Sequence, residues 1–261
     1  MPFIVDRKPM LNNPCLVSAW GCIGDEGIEL GIEAVTYLKD KLGAWQFGRI
    51  EPCDFFDFSI EVEDGLVREV ELPASTFYSW ENADGNDLIL LIADREPSLR
   101  RYEYANLVLQ VAEQFQVSRI YTVCAFPSLI SHTAHPRVFG VANGLELVSY
   151  LEQYAVTVMR GTSLISMNGV LLSVARERGL DGIYLLGEVS SYAAVGTNPK
   201  ACRAVLQVLT AMLGIDVDLA EFDPLIEQAE AEMDGIVKEA SRVFLENFTI
   251  DYGNLFWGED R

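Results

Sequence analysis

Apolar runs of strand length alternate along the chain with stretches whose apolar residues recur every three or four positions. The short runs are typical of buried strands, and the longer periods are typical of helices that cover a sheet. The first such unit is a strand over Cys15–Trp20, a glycine-rich turn, and a helix from about Ile28 to Leu42 that Gly43 ends. Because strands that alternate with helices are usually parallel, the pattern predicts a layered α/β/α domain.

A reversal in the first third of the chain and four later strands complete the predicted sheet. Two β-prone runs between Phe58 and Leu72 flank Glu63-Asp64-Gly65. Since Asp-Gly favours a tight turn with positive φ, we expect an antiparallel hairpin here and hence a mixed sheet. The long buried strands are predicted at Asp87–Ala93, Ser118–Phe126, Ala155–Met159 and Gly182–Leu186.

Further helices are predicted from capping residues and periodicity. One begins at Ser98, a good cap that follows Pro97, and another covers Asn198–Leu213 with Gly214 as its stop. From Phe222 to Val243 the apolar residues recur with spacings of four and three, as in a coiled-coil seam. This seam is either a final helix packed on its own domain or a contact between subunits.

The chain is predicted to divide into a main domain, an extension and a tail. We expect residues 12–218 to form the α/β/α domain and residues 219–250 a helical extension. The tail, residues 251–261, contains the apolar Leu255-Phe256-Trp257, which could dock on a neighbour. The predicted fold is therefore a three-layer α/β/α domain with a mixed sheet and a C-terminal helical extension.

The composition excludes several classes of partner. Nineteen Lys and Arg against thirty-nine Asp and Glu give a net charge of −20, which repels phosphate backbones and anionic membrane surfaces. The five cysteines are irregularly spaced and form no Cys-x-x-Cys pair, so neither a disulfide framework nor a zinc site is expected. The first residues lack a signal pattern and no apolar run is long enough to span a bilayer. We therefore expect a cytoplasmic protein with neither nucleic acid nor membrane as a partner.

No local motif establishes a reaction. The turn Gly21–Gly27 has the spacing of neither a dinucleotide loop nor a phosphate loop, and its Asp25 and Glu26 occupy the helix start that an anion would need. Neither Ser163 nor Ser166 has the strand-to-helix spacing of a nucleophile elbow. Nucleotide binding and triad hydrolysis thus have no support in the sequence.

The only two histidines, His132 and His135, lie in one loop after the strand that ends at Phe126. Two imidazoles three positions apart can ligate a metal, but Pro136 disfavours a helix and the spacing of metalloproteases is absent. The other interpretation is that they bond the backbone and fix the shape of the loop. No metal and no cofactor are assigned.

Polar residues cluster at the predicted carboxyl ends of the strands, where open α/β sheets bind ligands. These ends carry Asp94 and Glu96, the His132 loop, Gly161-Thr162-Ser163, and the segment from Gly187-Glu188 to Tyr192. If they converge, an enzyme could use His132 as base or ligand and Glu188 or Glu96 as acid.

Eight segments of the chain carry a family resemblance through their order and spacing. They are Trp20-Gly21, Asp54-Phe55-Phe56-Asp57-Phe58, Asp94-Arg95-Glu96-Pro97, His132-Thr133, Met167-Asn168-Gly169-Val170-Leu171-Leu172, Arg178-Gly179, Leu186-Gly187-Glu188 and Asn198-Pro199-Lys200-Ala201. Over roughly residues 15 to 245 the chain resembles the proteasome assembly chaperone two family, whose bacterial and archaeal members are mostly of undefined function.

The resemblance implies a fold similar to phosphorylases and peptide hydrolases, with a helical C-terminal addition, and homo-oligomers that are often trimers. It implies no established reaction or cofactor. Proteasome-docking members end in a hydrophobic-Tyr-any tripeptide, whereas this chain ends Gly258-Glu259-Asp260-Arg261, so we expect no docking by this tail. The related segment His-Thr-Arg-Pro is interrupted here by Ala134-His135, so no role of that arginine is carried over.

The sequence therefore predicts a non-enzymatic homo-oligomer, most often a trimer in the family, that presents a composite surface to another protein complex. A small-molecule enzyme, with its site at the strand ends, is the alternative. The candidate ligand- or partner-binding residues are Asp94, Glu96, His132, Thr133, His135, Glu188, Tyr192, Asn198 and Lys200.

Overall fold

The computed structural model describes the backbone of residues 3–21, 29–57, 62–67, 72–83, 85–193 and 197–256, and the side chains in these ranges except 53, 193 and 243–256. The glycine-rich turn beyond Gly21, the outer parts of the predicted hairpin and the side chains of the apolar tail lie outside the described residues. The strands are β1 Phe3–Val5, β2 Cys15–Trp20, β3 Trp45–Ile50, β4 Val62–Glu63, β5 Leu66–Val67, β6 Ser75–Trp80, β7 Leu88–Ala93, β8 Arg119–Ser128, β9 Val138–Ala142, β10 Thr157–Val158 and β11 Gly182–Ser190. The helices are α1 Leu30–Leu42, α2 Arg101–Gln114, α3 Leu145–Gln153, α4 Met167–Glu177, α5 Pro199–Leu213 and α6 Phe222–Phe256.

Within the described residues, nine strands form one mixed sheet in the order β1-β3-β6-β7-β2-β8-β11-β9-β10. The four central strands, β7, β2, β8 and β11, are parallel, and every residue of β2 and β11 is buried. Antiparallel pairs, β1 with β3, β3 with β6, β6 with β7, and β9 with β11, surround this centre. The predicted mixed α/β sheet is confirmed.

The expected reason for the mixed sheet was wrong. The hairpin exists, with Asp64 and Gly65 at positive φ in its turn, but β4 and β5 form a separate two-stranded sheet. The antiparallel character comes instead from β1 and β6 on one side of the centre and from β9 and β10 on the other. Of these, β6 and β9 alternate between buried and less buried residues. The direction of β10 also bears on Gly161–Ser163, which follow this strand. Because β10 runs antiparallel to β11, the carboxyl ends of these two strands point to opposite edges of the sheet.

Two apolar layers enclose the sheet, and this confirms the three-layer arrangement. One face packs against α1, α3 and α5, together with Phe222 and Ile226 from the start of α6. The other face packs against α2 and α4, including the fully buried Tyr104 and Met167. The approach of α1 is so close that a Cβ on Gly31 would lie 2.3 Å from the backbone oxygen of Val123 in β8.

The helix boundaries agree with the capping signals in two cases and differ in a third. Gly43 and Gly214 adopt left-handed φ values of 66° and 67° and end α1 and α5 as predicted. The helix predicted from Ser98 instead begins at Arg101. The Ser98 hydroxyl accepts a hydrogen bond from the backbone N–H of Asp57, 2.8 Å away, so it holds a neighbouring loop rather than its own helix.

The last helix, α6, is longer than the domain surface that it covers. Phe222 and Ile226 are buried and Met233 is half-buried, whereas Ile236 is 60 % exposed. The first half of the apolar seam therefore packs on its own domain, as the first interpretation expects, and its second half lies uncovered by the described residues, so that a contact between subunits there stays a prediction. No helix in the described part of the chain has the length and apolarity that crossing a membrane requires.

Candidate functional site

A cleft of about 380 Å³ lies where the carboxyl end of β11 meets the start of α5 and the first half of α6. The loop between β8 and β9, residues 129–137, forms one wall, and α6 forms the opposite wall. We call this the His132 cleft. Of the polar residues that the sequence assigns to it, His132, Glu188, Asn198 and Lys200 line it.

Glu188 fastens both ends of the His132 loop to the sheet. Its carboxylate accepts hydrogen bonds from the Ser128 hydroxyl at 2.7 Å, where the loop begins, and from the Arg137 backbone N–H at 3.1 Å, where it ends. The Arg137 guanidinium donates two more, at 2.9 and 2.6 Å. These bonds lower the pKa of Glu188 to about 2, with the Arg137 side chain as the largest cause. Glu188 is therefore a buried carboxylate at neutral pH, which suits an anchor and does not suit a general acid.

His132 connects two segments that lie 60 and 102 residues further along the chain. Its Nδ1 lies 2.8 Å from the Tyr192 hydroxyl, and its Nε2 lies 2.9 Å from Oδ1 of Asp234 in α6. The backbone N–H of His132 also donates to the Tyr192 hydroxyl oxygen, at 2.9 Å. The hydrogen bonds to Tyr192 first, and to Asp234 second, raise the pKa of His132 above its usual value.

The same contacts act in the opposite direction on the phenol. Hydrogen bonds from the His132 side chain and backbone lower the pKa of Tyr192 to about 7, because both stabilise the phenolate. Tyr192 remains about half exposed at the rim. The two shifts bring the pKa values of the imidazole and the phenol towards each other, which is the property that acid–base chemistry or a pH-sensitive contact requires.

Basic residues of the domain pair with acidic residues of α6 along its first half. Lys200 pairs with Glu230 and also donates to the His132 carbonyl oxygen at 3.0 Å. Lys41 pairs with Glu221 at 2.6 Å, and Arg203 pairs with Asp223. With His132 and Asp234 these make four pairs that attach the start and first half of α6 to the domain, and of the four, Lys200–Glu230 and His132–Asp234 lie at the His132 cleft.

The remaining candidate residues have separate positions. Thr133 and His135 are exposed on the loop, and the Thr133 hydroxyl lies 2.9 Å from that of Ser131. Asp94 accepts a hydrogen bond from the Ala74 backbone N–H, at 2.8 Å. Glu96 accepts one from the Met167 backbone N–H at the start of α4, at 3.0 Å. Neither Asp94 nor Glu96 lines the His132 cleft, so the strand ends provide two groups of polar residues rather than one.

The sequence did not indicate Ser128, Arg137, Glu230 or Asp234 as site residues. Arg137 alone had a local signal, because it directly follows the His132 loop and no other basic residue lies near it. In the sequence, Glu230 and Asp234 look like ordinary surface residues of a helix, and only the packing of α6 brings them to the cleft. Across the described ranges, no group of three or more His, Cys, Asp or Glu side chains has an arrangement that could hold a metal ion.

Comparison with known proteins places this architecture among related sequences and structures. The model of the PAC2 family matches residues 30–238. An archaeal proteasome activator of Pyrococcus furiosus, PbaB, is 24% identical and superposes with a TM-score of 0.72, covering 92% of this chain and 98% of its own. A proteasome-assembly chaperone homologue of Mycobacterium tuberculosis is 22% identical with a TM-score of 0.73, covering 85% and 94%. A protein of Streptomyces avermitilis from the same family is 20% identical with a TM-score of 0.73, covering 85% and 95%. Among curated proteins, none matches the sequence.

Proposed function

This chain belongs to the PAC2 family, and from that premise we propose that it is a non-enzymatic, chaperone-like protein that assists the assembly of another protein complex. It acts as a homo-oligomer, most often of three copies in the family, and works in the cytoplasm. Residues 12–218 form the body that meets the partner, and residues 219–250 form the extension that joins the copies. The names of two structural relatives, a proteasome activator and an assembly chaperone homologue, support a role with a protein complex.

The observation that carries this proposal is the uncovered second half of α6. Ile236 and Val237 are 60 % and 39 % exposed, and Ala240 is also exposed, although these residues follow directly on the part of the helix that packs on the domain. The helix continues to Phe256, and Ile226 is the last of its described side chains that belongs to the buried core of the body. Contiguous apolar residues on a long surface helix are typical of helix-to-helix contacts between subunits. The occupant of this face is a second copy of the chain, which presents the same seam.

The candidate residues have distinct roles in this proposal. Thr133, His135 and Tyr192 are exposed and available to a protein partner, while His132, Asn198 and Lys200 line the cleft behind them. Glu188 supports the loop from below and does not contact the partner. Asp94 and Glu96 lie at the end of β7, which β2 separates from β8 in the sheet, and they extend the surface in that direction.

Light scattering coupled to size-exclusion chromatography tests the self-association. Three copies have a mass of about 87 kDa, three times the 29.0 kDa of one chain. Ile236→Glu places a charge on the apolar face and is expected to shift the mass towards one chain. Lys238→Glu, which adds the same side chain at an exposed position outside the seam, is expected to keep the wild-type mass. A wild-type mass of one chain, or an unchanged mass for Ile236→Glu, contradicts the proposal.

The chain of hydrogen bonds from Tyr192 through His132 to Asp234 favours a second candidate, an acid–base enzyme on small molecules. His132 is the base, and the geometry favours Tyr192 and Asp234 as its partners over Glu188 and Glu96. A panel of chromogenic carboxylic and phosphoric esters tests it. Turnover by the wild type that disappears in His132→Gln supports an enzyme, whereas equal rates for the wild type and His132→Gln refute this second candidate.

A further inference from the structure

A second groove, of about 510 Å³, lies on the other side of α6 from the His132 cleft, between α1, α5 and the first turns of α6. We call it the α1–α6 groove. Leu225 is half exposed in it, although Phe222 on the preceding turn is buried. Its apolar lining consists of Tyr37, Pro199, Cys202, Phe222, Leu225 and Ala229.

Among the described residues that line this groove, the four charged side chains, Glu33, Asp40, Glu221 and Glu232, are all acidic. Two of them are neutralised, since Asp40 pairs with Lys39 at 3.0 Å and Glu221 pairs with Lys41 at 2.6 Å.

The other two, Glu33 and Glu232, are bonded to uncharged groups within the described part of the chain. Glu33 accepts from the backbone N–H of Asn198, and Glu232 accepts from the Gln228 side-chain amide at 2.8 Å. Partial burial raises the pKa of Glu33, and the neighbouring Glu29 raises it further, so the groove holds this carboxylate in an unfavourable setting.

From this combination we propose that the α1–α6 groove is a docking site for a basic amphipathic helix of a partner protein. The apolar floor takes the leucine-like face of such a helix, and Glu33 and Glu232 pair with lysine or arginine side chains along its edges. A second copy of this chain does not fit this groove, because the acidic residues of its own exposed helix would meet the negative charge of the groove with like charge. Anionic membranes and nucleic acids are excluded by the same charge.

The inference names the chemistry of the partner and rests on the proposed assembly function. It uses a surface different from the self-association face at Ile236, so the two can fail separately. A partner helix bound here also contacts α6, and two of the α6 residues that line the groove, Ala229 and Glu232, line the His132 cleft as well. The groove thus connects partner binding to the same helix that joins the copies.

Fluorescence anisotropy with a labelled model peptide tests the proposal on the full chain. The probe is a helical peptide of about 18 residues with leucines on one face and lysines on the other, and its control carries glutamate in place of lysine. The leucine–lysine peptide is expected to bind and the glutamate peptide is not. Spermine carries positive charge without an apolar face, so it is not expected to displace the bound peptide.

Variants locate the binding on the groove. The double variant Glu33→Gln with Glu232→Gln keeps the size and the hydrogen-bond acceptors, and it is expected to weaken the peptide about five- to tenfold. Leu225→Ala is expected to weaken it about fivefold or more. Glu227→Gln removes the same charge from an exposed position of α6 outside the groove and is expected to leave binding unchanged.

Each other outcome overturns the inference. Equal weakening by Glu227→Gln, or displacement by spermine, means that the peptide responds to net charge alone. A fall in the oligomer mass on peptide binding means that a second copy occupies the groove. Absence of peptide binding, with an oligomer that still depends on Ile236, refutes the docking site and leaves the proposed self-association standing.

Discussion

Replacing Arg137 by alanine removes the larger part of the Glu188 anchor without deleting the buried carboxylate. The Glu188 side chain has no exposed surface, whereas that of Arg137 is 61% exposed. Two of the four hydrogen bonds to Glu188 come from the guanidinium and are lost, while those from the Ser128 hydroxyl and the residue 137 backbone N–H remain. The variant therefore leaves a buried charge with half of its donors.

The magnitude follows from the carboxylate's pKa. The shift from 4.5 to about 2 corresponds to about 3 kcal/mol for all of its interactions together. Because two donors survive and Arg137 is largely solvated, we expect Arg137→Ala to cost about 2 kcal/mol at pH 7. A carboxyl with a lowered folded-state pKa stabilises the fold above the unfolded value of 4.5 and loses this contribution as the pH falls towards 2. The difference between wild type and variant is therefore full at pH 7 and smaller at about pH 3.5.

Urea unfolding followed by circular dichroism at both pH values measures this difference. Arg49→Ala is the matched control, because Arg49 pairs with Asp6 and Glu51 at an exposed position and its loss should cost less than about 1 kcal/mol. If Arg137→Ala costs no more than Arg49→Ala at pH 7, or if its cost grows as the pH falls, the anchor does not have the role that we assign to it.

Three further predictions follow from other contacts. Gly31→Ala is expected to lower the free energy of unfolding in urea by about 1–3 kcal/mol, because its Cβ meets the backbone of β8. Gly235→Ala has open space around it and should raise the free energy of unfolding by about 0.5–1 kcal/mol. Equal effects of the two substitutions would contradict this reasoning. The phenolate absorbance of Tyr192 should titrate with a midpoint of about pH 7, and in His132→Gln this midpoint should move back towards 10. An unchanged midpoint in the variant would mean that His132 does not lower the pKa of Tyr192. Because the pKa of His132 is raised, its contact with Asp234 is strongest below pH 6.5 and weakens as the pH rises through the folded-state pKa. Hydrogen exchange of the α6 amides, corrected for the intrinsic rate, should therefore accelerate over this pH range in the wild type but not in His132→Gln.

The strands that the sequence predicts best are those whose residues are apolar on both faces. Both ends of β2 are correct, because Cys15–Trp20 is apolar except for Ser18, is bounded by turn residues, and is buried throughout. The strand β6 was missed because its buried face carries Ser75 and Ser79 beside Phe77, so the alternation of burial does not appear as an alternation of hydrophobicity.

The position of the candidate site was predictable from the sequence, but the side chains that bond its residues were not. The strand-end rule correctly brings His132, Glu188 and Tyr192 together, since β8 and β11 are parallel neighbours. It also predicted Glu96 in the same cleft, and here the rule is too coarse, because the strand end at β7 lies against α4 instead. Asp234 has no signal at all: only the packing of a helix that begins 90 residues after His132 brings its carboxylate to the imidazole.

The anchor at Glu188 also has a consequence for the order in which the protein folds. It joins positions 60 and 51 residues apart, so the loop that carries His132 cannot take its final shape before β11 has docked beside β8. Contacts between such distant positions form late, because the intervening chain must first be brought into a compact state. A nascent chain that has not yet emerged as far as β11 therefore presents neither the loop nor its imidazole in the native position. The surface that we propose to meet a partner therefore takes its native form only after β11 has docked beside β8, which makes the loop a marker of that stage of folding.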